Sequence, residues 1–156
     1  MLYPLNFRTS HGQFHVYDKR SDGDTSADGF WSEDAFSDRL AVWNGILAVF
    51  TECYGLVKGE LHLLSEPRNY INLDQYNHIV EAGLEVKSGT IQILDCPNSS
   101  VELEIKVIPG RYRVRVYSIN LASVVDNDGD DFYRIEIWPG IAMERKVLKR
   151  YNRAAS

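Results

Sequence analysis

Asp126, Asp128 and Asp130 stand two residues apart in the run Asp126-Asn127-Asp128-Gly129-Asp130-Asp131. Alternate carboxylates in a glycine-bearing turn are the donors calcium meets in the first half of an EF-hand loop. The second half of that pattern is missing. Its sixth position is Asp131 instead of glycine, and its twelfth is Ile137 instead of glutamate. The run therefore supports two chemistries. One is a calcium site on the loop of a β-sandwich, with Asp126, Asp128 and Asp130 as ligands, in a module that binds a membrane or a carbohydrate. The other is uncompensated negative charge that meets a basic protein.

A second acidic stretch favours the protein partner. Residues 18–38 carry Asp18, Asp22, Asp24, Asp28, Glu33, Asp34 and Asp38 against Lys19 and Arg20, interleaved with Phe30, Trp31 and Phe36. Aromatic anchors supply most of the affinity of a protein interface, and charged rims steer the encounter. The expected partner-binding residues are Asp22, Asp24, Asp28, Trp31, Asp34, Asp128, Asp130 and Asp131.

Other chemistries find little support. There is no Gly-x-Ser-x-Gly elbow, and Gly55-x3-Gly59 lacks the Lys-Ser/Thr ending of a phosphate loop. His11 and His15 would pair on a helix, but on a strand four residues span roughly 13 Å, too far for one zinc ion. They, His62 and His78 are expected at the surface or at sheet edges. Glu81 and Glu85 alternate along one strand, the pattern of a solvated face. The expectation is a protein that is not an enzyme and needs no cofactor, calcium being the alternative.

The formal net charge is −5, unevenly spread. Residues 1–140 hold 21 acids against 12 bases, and residues 141–156 hold Glu144 against five bases. An acidic body is a poor match for a nucleic-acid backbone. Cys53 and Cys96 are too few and too far apart for a disulfide framework or a Cys-x-x-Cys motif, which suits free thiols in a reducing cytoplasm. The first residues lack a signal peptide's basic and apolar regions, and no apolar run is long enough to span a membrane.

The elements that must position these residues are mostly strands. Val101, Leu103, Ile105 and Val107 alternate with Glu102, Glu104 and Lys106, and Tyr112, Val114 and Val116 alternate with Arg111, Arg113 and Arg115. The arginines are expected to point outward beside a neighbouring strand's glutamates. His11–Tyr17, Val42–Thr51, Val57–Leu64 and Phe132–Trp138 are further strands. His78–Val86 and Thr90–Leu94 look like a hairpin turned at Lys87-Ser88-Gly89. Ser32 is an N-cap, with Glu33 and Asp34 in the first turn of a short helix near 32–40. The pattern predicts a mainly β protein, an antiparallel β-sandwich of about eight strands over residues 1–140. Residues 141–156 form a basic tail, expected as a short helix or a loose end. That tail is either solvated or folded back onto the acidic body, tying two subunits together.

The order Ser10-x-x-Gln13-Phe14-x-Val16, then Trp31-Ser32-Glu33-Asp34-Ala35, then Gly45-Ile46 is similar to the bacterial ComJ-type competence proteins, small inhibitors of the DNA-entry nuclease. His78-Ile79-Val80-Glu81, Gly110 through Val116, and Gly129 through Arg134 and on to Gly140 resemble a broader group of uncharacterised bacterial proteins with this layout. The resemblance implies a non-enzymatic, immunity-like protein that occludes a nuclease. It assigns no inhibitory residues.

Overall fold

Alternating apolar residues build two facing sheets. The computed structural model describes residues 1–21, 30–96 and 99–152. The first sheet has the order β1 (Leu2–Arg8), β5 (Leu56–Leu63), β10 (Phe132–Pro139), β9 (Gly110–Ile119), β6 (His78–Val86) and β11 (Lys146–Lys149). The second runs β3 (Leu40–Trp43), β4 (Ile46–Phe50), β2 (Gln13–Asp18), β7 (Thr90–Leu94) and β8 (Val101–Lys106). Helix α1 (Glu33–Asp38) lies between β2 and β3 in the chain. The β-sandwich is as expected, with eleven strands among the described residues where about eight were predicted. Neighbouring strands are antiparallel except β5 and β10, which are parallel.

The core is the space between the sheets. Phe14, Val16, Leu47, Ile91 and Ile93 face Leu61, Val114, Tyr133 and Ile135, all fully buried. Each such side chain contributes roughly 1.5–3 kcal/mol by leaving water. Phe7 and Phe14 meet edge to face at 5.6 Å, and Phe14 meets Tyr133 the same way at 6.4 Å, joining the sheets through aromatic contacts. Helix α1 forms as predicted: the Ala35 N–H donates to Ser32 Oγ at 3.1 Å. Arg39 ends the helix in the left-handed region.

Four expectations are corrected. Val42–Thr51 is not one strand but the end of β3, a two-residue turn at Asn44-Gly45 with Gly45 at φ +72, and β4. β6 and β7 do not form a hairpin. Lys87–Gly89 is a corner that carries the chain from one sheet to the other, and the buried Asp18 carboxylate holds it by accepting from the N–H groups of Lys87 and Ser88. The C-terminal segment is not a helix: β11 pairs with β6. The histidines are not all peripheral, because His15 and His78 are buried.

The basic tail folds back within the chain. Arg145 and Arg150 donate to the two Asp38 oxygens at 2.7 and 2.6 Å and to the Leu40 and Ser37 carbonyls. Arg113 Nη1 donates to the carbonyls of Ala142 and Glu144 at 3.1 and 2.5 Å. The strap so formed covers part of the outer face of the first sheet.

Candidate partner-binding surface

A buried polar chain underlies one end of the sandwich. From the C-terminus of α1, Arg39 Nη1 donates to Glu52 Oε1 at 2.6 Å, with both side chains 9% exposed. The Glu52 N–H donates to the Tyr133 hydroxyl at 2.7 Å, and that hydroxyl donates to Asp131 Oδ2 at 2.6 Å. The Cys53 N–H donates to the same oxygen at 3.2 Å. Helix, β4–β5 loop and β10 are thereby joined by hydrogen bonds shielded from water, where a lost partner is most costly. Burial, then the neighbouring Asp131 carboxylate, pushes the Tyr133 hydroxyl well above the usual phenol range, so it stays a donor.

Asp131 is therefore not a surface residue. It is fully buried, and its place among the expected partner-binding residues is withdrawn. β10 starts at the next residue, and its in–out alternation, extended back from buried Tyr133, turns this one carboxylate inward.

The other three aspartates of the loop are exposed. Val125 and Asp128 form an isolated antiparallel bridge, with Asp126 at φ 52 and Asn127 at φ 69 between them. Two successive positive φ values define a type I′ turn, and Asn and Asp tolerate that backbone better than other non-glycine residues. So the acidic, amide-bearing composition is explained partly by turn geometry. Lys58 Nζ steadies the loop, donating to the Gly129 carbonyl at 3.0 Å and lying 3.5 Å from Asp130 Oδ1. Among the described residues, no group of three His, Cys, Asp or Glu side chains is placed to hold a metal ion. The i, i+2, i+4 spacing of Asp126, Asp128 and Asp130 thus does not become a convergent ligand set.

A cluster of aromatic side chains lies at α1 and β4. Phe36 stacks on Phe50 at 5.1 Å, and Trp31 meets Phe36 and Phe50 at 6.3 and 5.7 Å. Phe30 and Ala35 fill the space beneath, against Ala41, Ile46 and Ala48 on the outer face of the second sheet. Phe36 is 56% exposed while Trp31 and Phe50 are half-buried. Glu33 and Asp34 are exposed on the same helix. Four residues beyond Phe50, Tyr54 is also 56% exposed, and its N–H donates to the Asn127 carbonyl at 3.2 Å. The fold thus connects Trp31 and Asp34 to Asp128 and Asp130 through the β4–β5 loop. Asp22, Asp24 and Asp28 lie outside the described residues. Phe50 and Tyr54 were missed by sequence reasoning, having no local acidic run to mark them.

The largest polar cluster lies elsewhere, on the outer face of the first sheet, where a solvated face was expected. Glu81 accepts from Arg113 Nε at 3.2 Å and Arg115 Nε at 2.6 Å. Arg115 reaches the Tyr117 hydroxyl at 3.2 Å, and that hydroxyl donates to Glu136 at 2.5 Å. Arg68 and Arg134 also bind Glu136, and Arg134 reaches Glu60 at 3.3 Å. Arg113, Arg115, Glu81 and Glu136 are all buried. The arginines do lie beside glutamates, but under the strap and Trp138, whose ring is 4.8 Å from the Arg115 guanidinium. Burial pushes the Tyr117 hydroxyl up to about 12. Each charged group has an oppositely charged partner inside the network, four arginines sharing three glutamates, so the cluster ties strands together.

A cleft of about 560 Å³ opens between the β3–β4 turn and the strap, lined by Trp43, Met143, Arg20, Lys87 and Asp18 among others. Asp18 is already engaged by the backbone of Lys87 and Ser88. No helix among the described residues is long and apolar enough to cross a membrane.

These features define a two-sheet β-sandwich with an aromatic and acidic surface at one end and a C-terminal strap on the first sheet. The crystal structure of ComJ, inhibitor of the DNA degrading activity of NucA, from Bacillus subtilis, has this fold. It matches with a TM-score of 0.67 at 20% identity, over 90% of this chain and 99% of that one. A chain described as crocagin biosynthetic gene J matches with a TM-score of 0.52 at 17% identity, over 90% of this chain and 96% of its own. No family model and no curated protein matches the chain. The ComJ-like motifs in the first third of the sequence thus belong to a likeness of fold that extends over nearly all of it.

Proposed function

We propose that this chain is a non-enzymatic, immunity-like inhibitor that captures a basic protein partner, a nuclease or similar toxin, through an acidic surface. The observation that carries this reading is the fold shared with ComJ, described as an inhibitor of NucA's DNA degrading activity. The surface is consistent with it. Trp31, Asp34, Asp128 and Asp130 are half-buried or exposed at connected positions. Asp22, Asp24 and Asp28 add charge in the preceding segment of sequence.

The mechanism follows from charge and shape. A nuclease cleft is lined with cations that hold phosphates. Carboxylates presented on a folded surface attract that cleft, accelerate the encounter and fill the place of the nucleic acid. No cofactor enters the scheme. The free thiols of Cys53 and Cys96 fit a cytoplasmic setting, where reducing conditions preserve them.

The test is degradation of linear DNA by a NucA-type nuclease from the source of this chain, with the chain added at rising molar ratio. Loss of cutting near equimolar ratio is the expected result. Undiminished cutting at a tenfold excess of inhibitor overturns the reading.

A further inference from the structure

We infer that the partner docks on the surface formed by α1, the β4–β5 loop and the Val125–Asp128 turn, with Phe36 and Tyr54 as anchors. This rests on the inhibitor reading above and adds the place of contact, which neither the acidic composition nor the shared fold specifies.

Three observations support it. First, Phe36 and Tyr54 are the large aromatic residues most exposed in these elements, each at 56%. Phe36 stands on a helix capped at both ends and is backed by Phe50 and Trp31. Tyr54 lies over Gly12, where a Cβ would fall 2.3 Å from its ring, and its backbone is tied to Asn127. Anchors held in place before binding lose little entropy on docking. Second, the Arg39–Glu52–Tyr133–Asp131 chain fixes α1 and the β4–β5 loop to β10, and the Tyr54 N–H bond to Asn127 ties the turn to that loop, so both anchors stand on linked elements.

Third, the charge selects the occupant. Glu33 and Asp34 are exposed on the helix that carries Phe36, and Asp126, Asp128 and Asp130 are exposed in the loop bonded to Tyr54. Of the nearby cations, Arg39 is buried against Glu52, Lys58 is engaged by the aspartate loop, Arg150 is paired with Asp38, and the exposed Arg8 reaches Gly55 beside Tyr54. Five exposed carboxylates against Lys58 and Arg8 leave these elements net negative beside two exposed aromatic rings. Their complement is a protein surface lined with Lys and Arg, whose aliphatic stems cover aromatic rings while their charged ends meet carboxylates. A second copy of this chain would set acid against acid.

The two parts of the surface have separable effects. Aromatic truncation acts on the lifetime of the complex, and charge reversal acts on its rate of formation. The experiment measures binding and inhibition of the same NucA-type nuclease by four proteins. These are the wild type, Phe36→Ala/Tyr54→Ala, Glu33→Lys/Asp34→Lys/Asp128→Lys, and the β8-edge control Glu102→Lys. Thermal unfolding confirms that each is folded. The aromatic variant is expected to dissociate about 100-fold faster. The charge variant is expected to associate at least tenfold more slowly at low salt and to lose most of its salt dependence. The control should match the wild type. If the wild type inhibits and the aromatic variant inhibits equally, the surface is wrong and the inhibitor reading stands. If the wild type does not bind the nuclease, the inhibitor reading falls and this inference with it. A dimer of the free chain abolished by Phe36→Ala/Tyr54→Ala would overturn the inference in favour of self-association.

Discussion

The backbone N–H of Tyr54 donates to the carbonyl of Asn127 at 3.2 Å, joining the β4–β5 loop to the aspartate turn across 73 residues of chain. That bond, with the Cys53 N–H on Asp131, brings the acidic run of residues 126–131 to the β4–β5 loop, which Glu52 joins to Arg39 at the end of α1. Asp131→Asn keeps the shape but weakens the acceptor for both Cys53 and Tyr133. Loss of a charge-assisted buried bond should cost about 1.5–3 kcal/mol, read as a lower urea midpoint. Unchanged stability would show that the buried chain does not hold the surface together.

Glu81 compensates two buried guanidinium groups at once, those of Arg113 and Arg115. Removing its charge leaves them in a low-dielectric site without a counter-ion. Glu81→Gln is expected to destabilise the fold by about 3–5 kcal/mol. A cost below about 1 kcal/mol, measured by chemical denaturation, would mean that water reaches the network.

His78 should make stability depend on pH. Its Nε2 lies 2.7 Å from the Asp38 carbonyl and its Nδ1 accepts from the Tyr151 N–H at 3.0 Å, so the folded state needs the neutral ring. Burial, with Arg39 and Arg150 nearby, lowers its pKa to about 4 from 6.5, against the upward pull of the Asp38 carbonyl and carboxylate. Between those values the unfolded chain binds more protons than the folded one. Stability therefore falls as the pH is lowered through that window, by about 3 kcal/mol in all. His78→Asn should flatten the slope. A variant as pH-dependent as the wild type would contradict this assignment. Asp38 acts at lower pH. Burial raises its pKa, but Arg150 and Arg145 outweigh that and leave it lowered. Its contribution is complete above the unfolded carboxylate value of about 3.9 and is lost as pH falls through the folded one.

At Gly83 the strap lies directly against β6. A Cβ there would lie 2.5 Å from Met143 Cα. Gly83→Ala should lift the strap, cost about 1–3 kcal/mol, and speed amide exchange of residues 141–151. Met143 Cε and Sδ stand as close as its Cα, so Met143→Ala should relieve the side-chain part of the clash and restore the contact only in part. Unaltered exchange would show that the strap can shift without detaching.

Calcium should leave the unfolding midpoint where chelator leaves it, since Asp126, Asp128 and Asp130 do not converge on a common point. A ligand at about 100 times its dissociation constant adds about 2.7 kcal/mol, which moves the midpoint by several degrees. A shift of that size, lost in Asp128→Asn, would restore the metal reading.

How much was legible in the sequence depended on whether the signal was local. Strands β8, β9 and β10 show in two-residue alternation, and α1 shows in Ser32 and the two acids behind it. The Asn44-Gly45 turn was present too, but the apolar residues around it hid the hairpin. Pairing was less legible. Alternation shows that Arg113 and Arg115 share a face, but not that a strap from residues 141–151 will bury it. The same limit explains Asp131: four aspartates in a row of six look alike until the strand's register turns one inward. The proposed docking surface draws on segments near residues 36, 54 and 127, so no single stretch could announce it.

The central claim is that this fold captures a basic nuclease through an acidic, aromatic surface. Its most direct test is calorimetric titration of the purified chain with the NucA-type nuclease, at low and at high salt. The account predicts a one-to-one complex whose affinity drops steeply as salt rises. No binding heat at either salt, with both proteins folded, would contradict it.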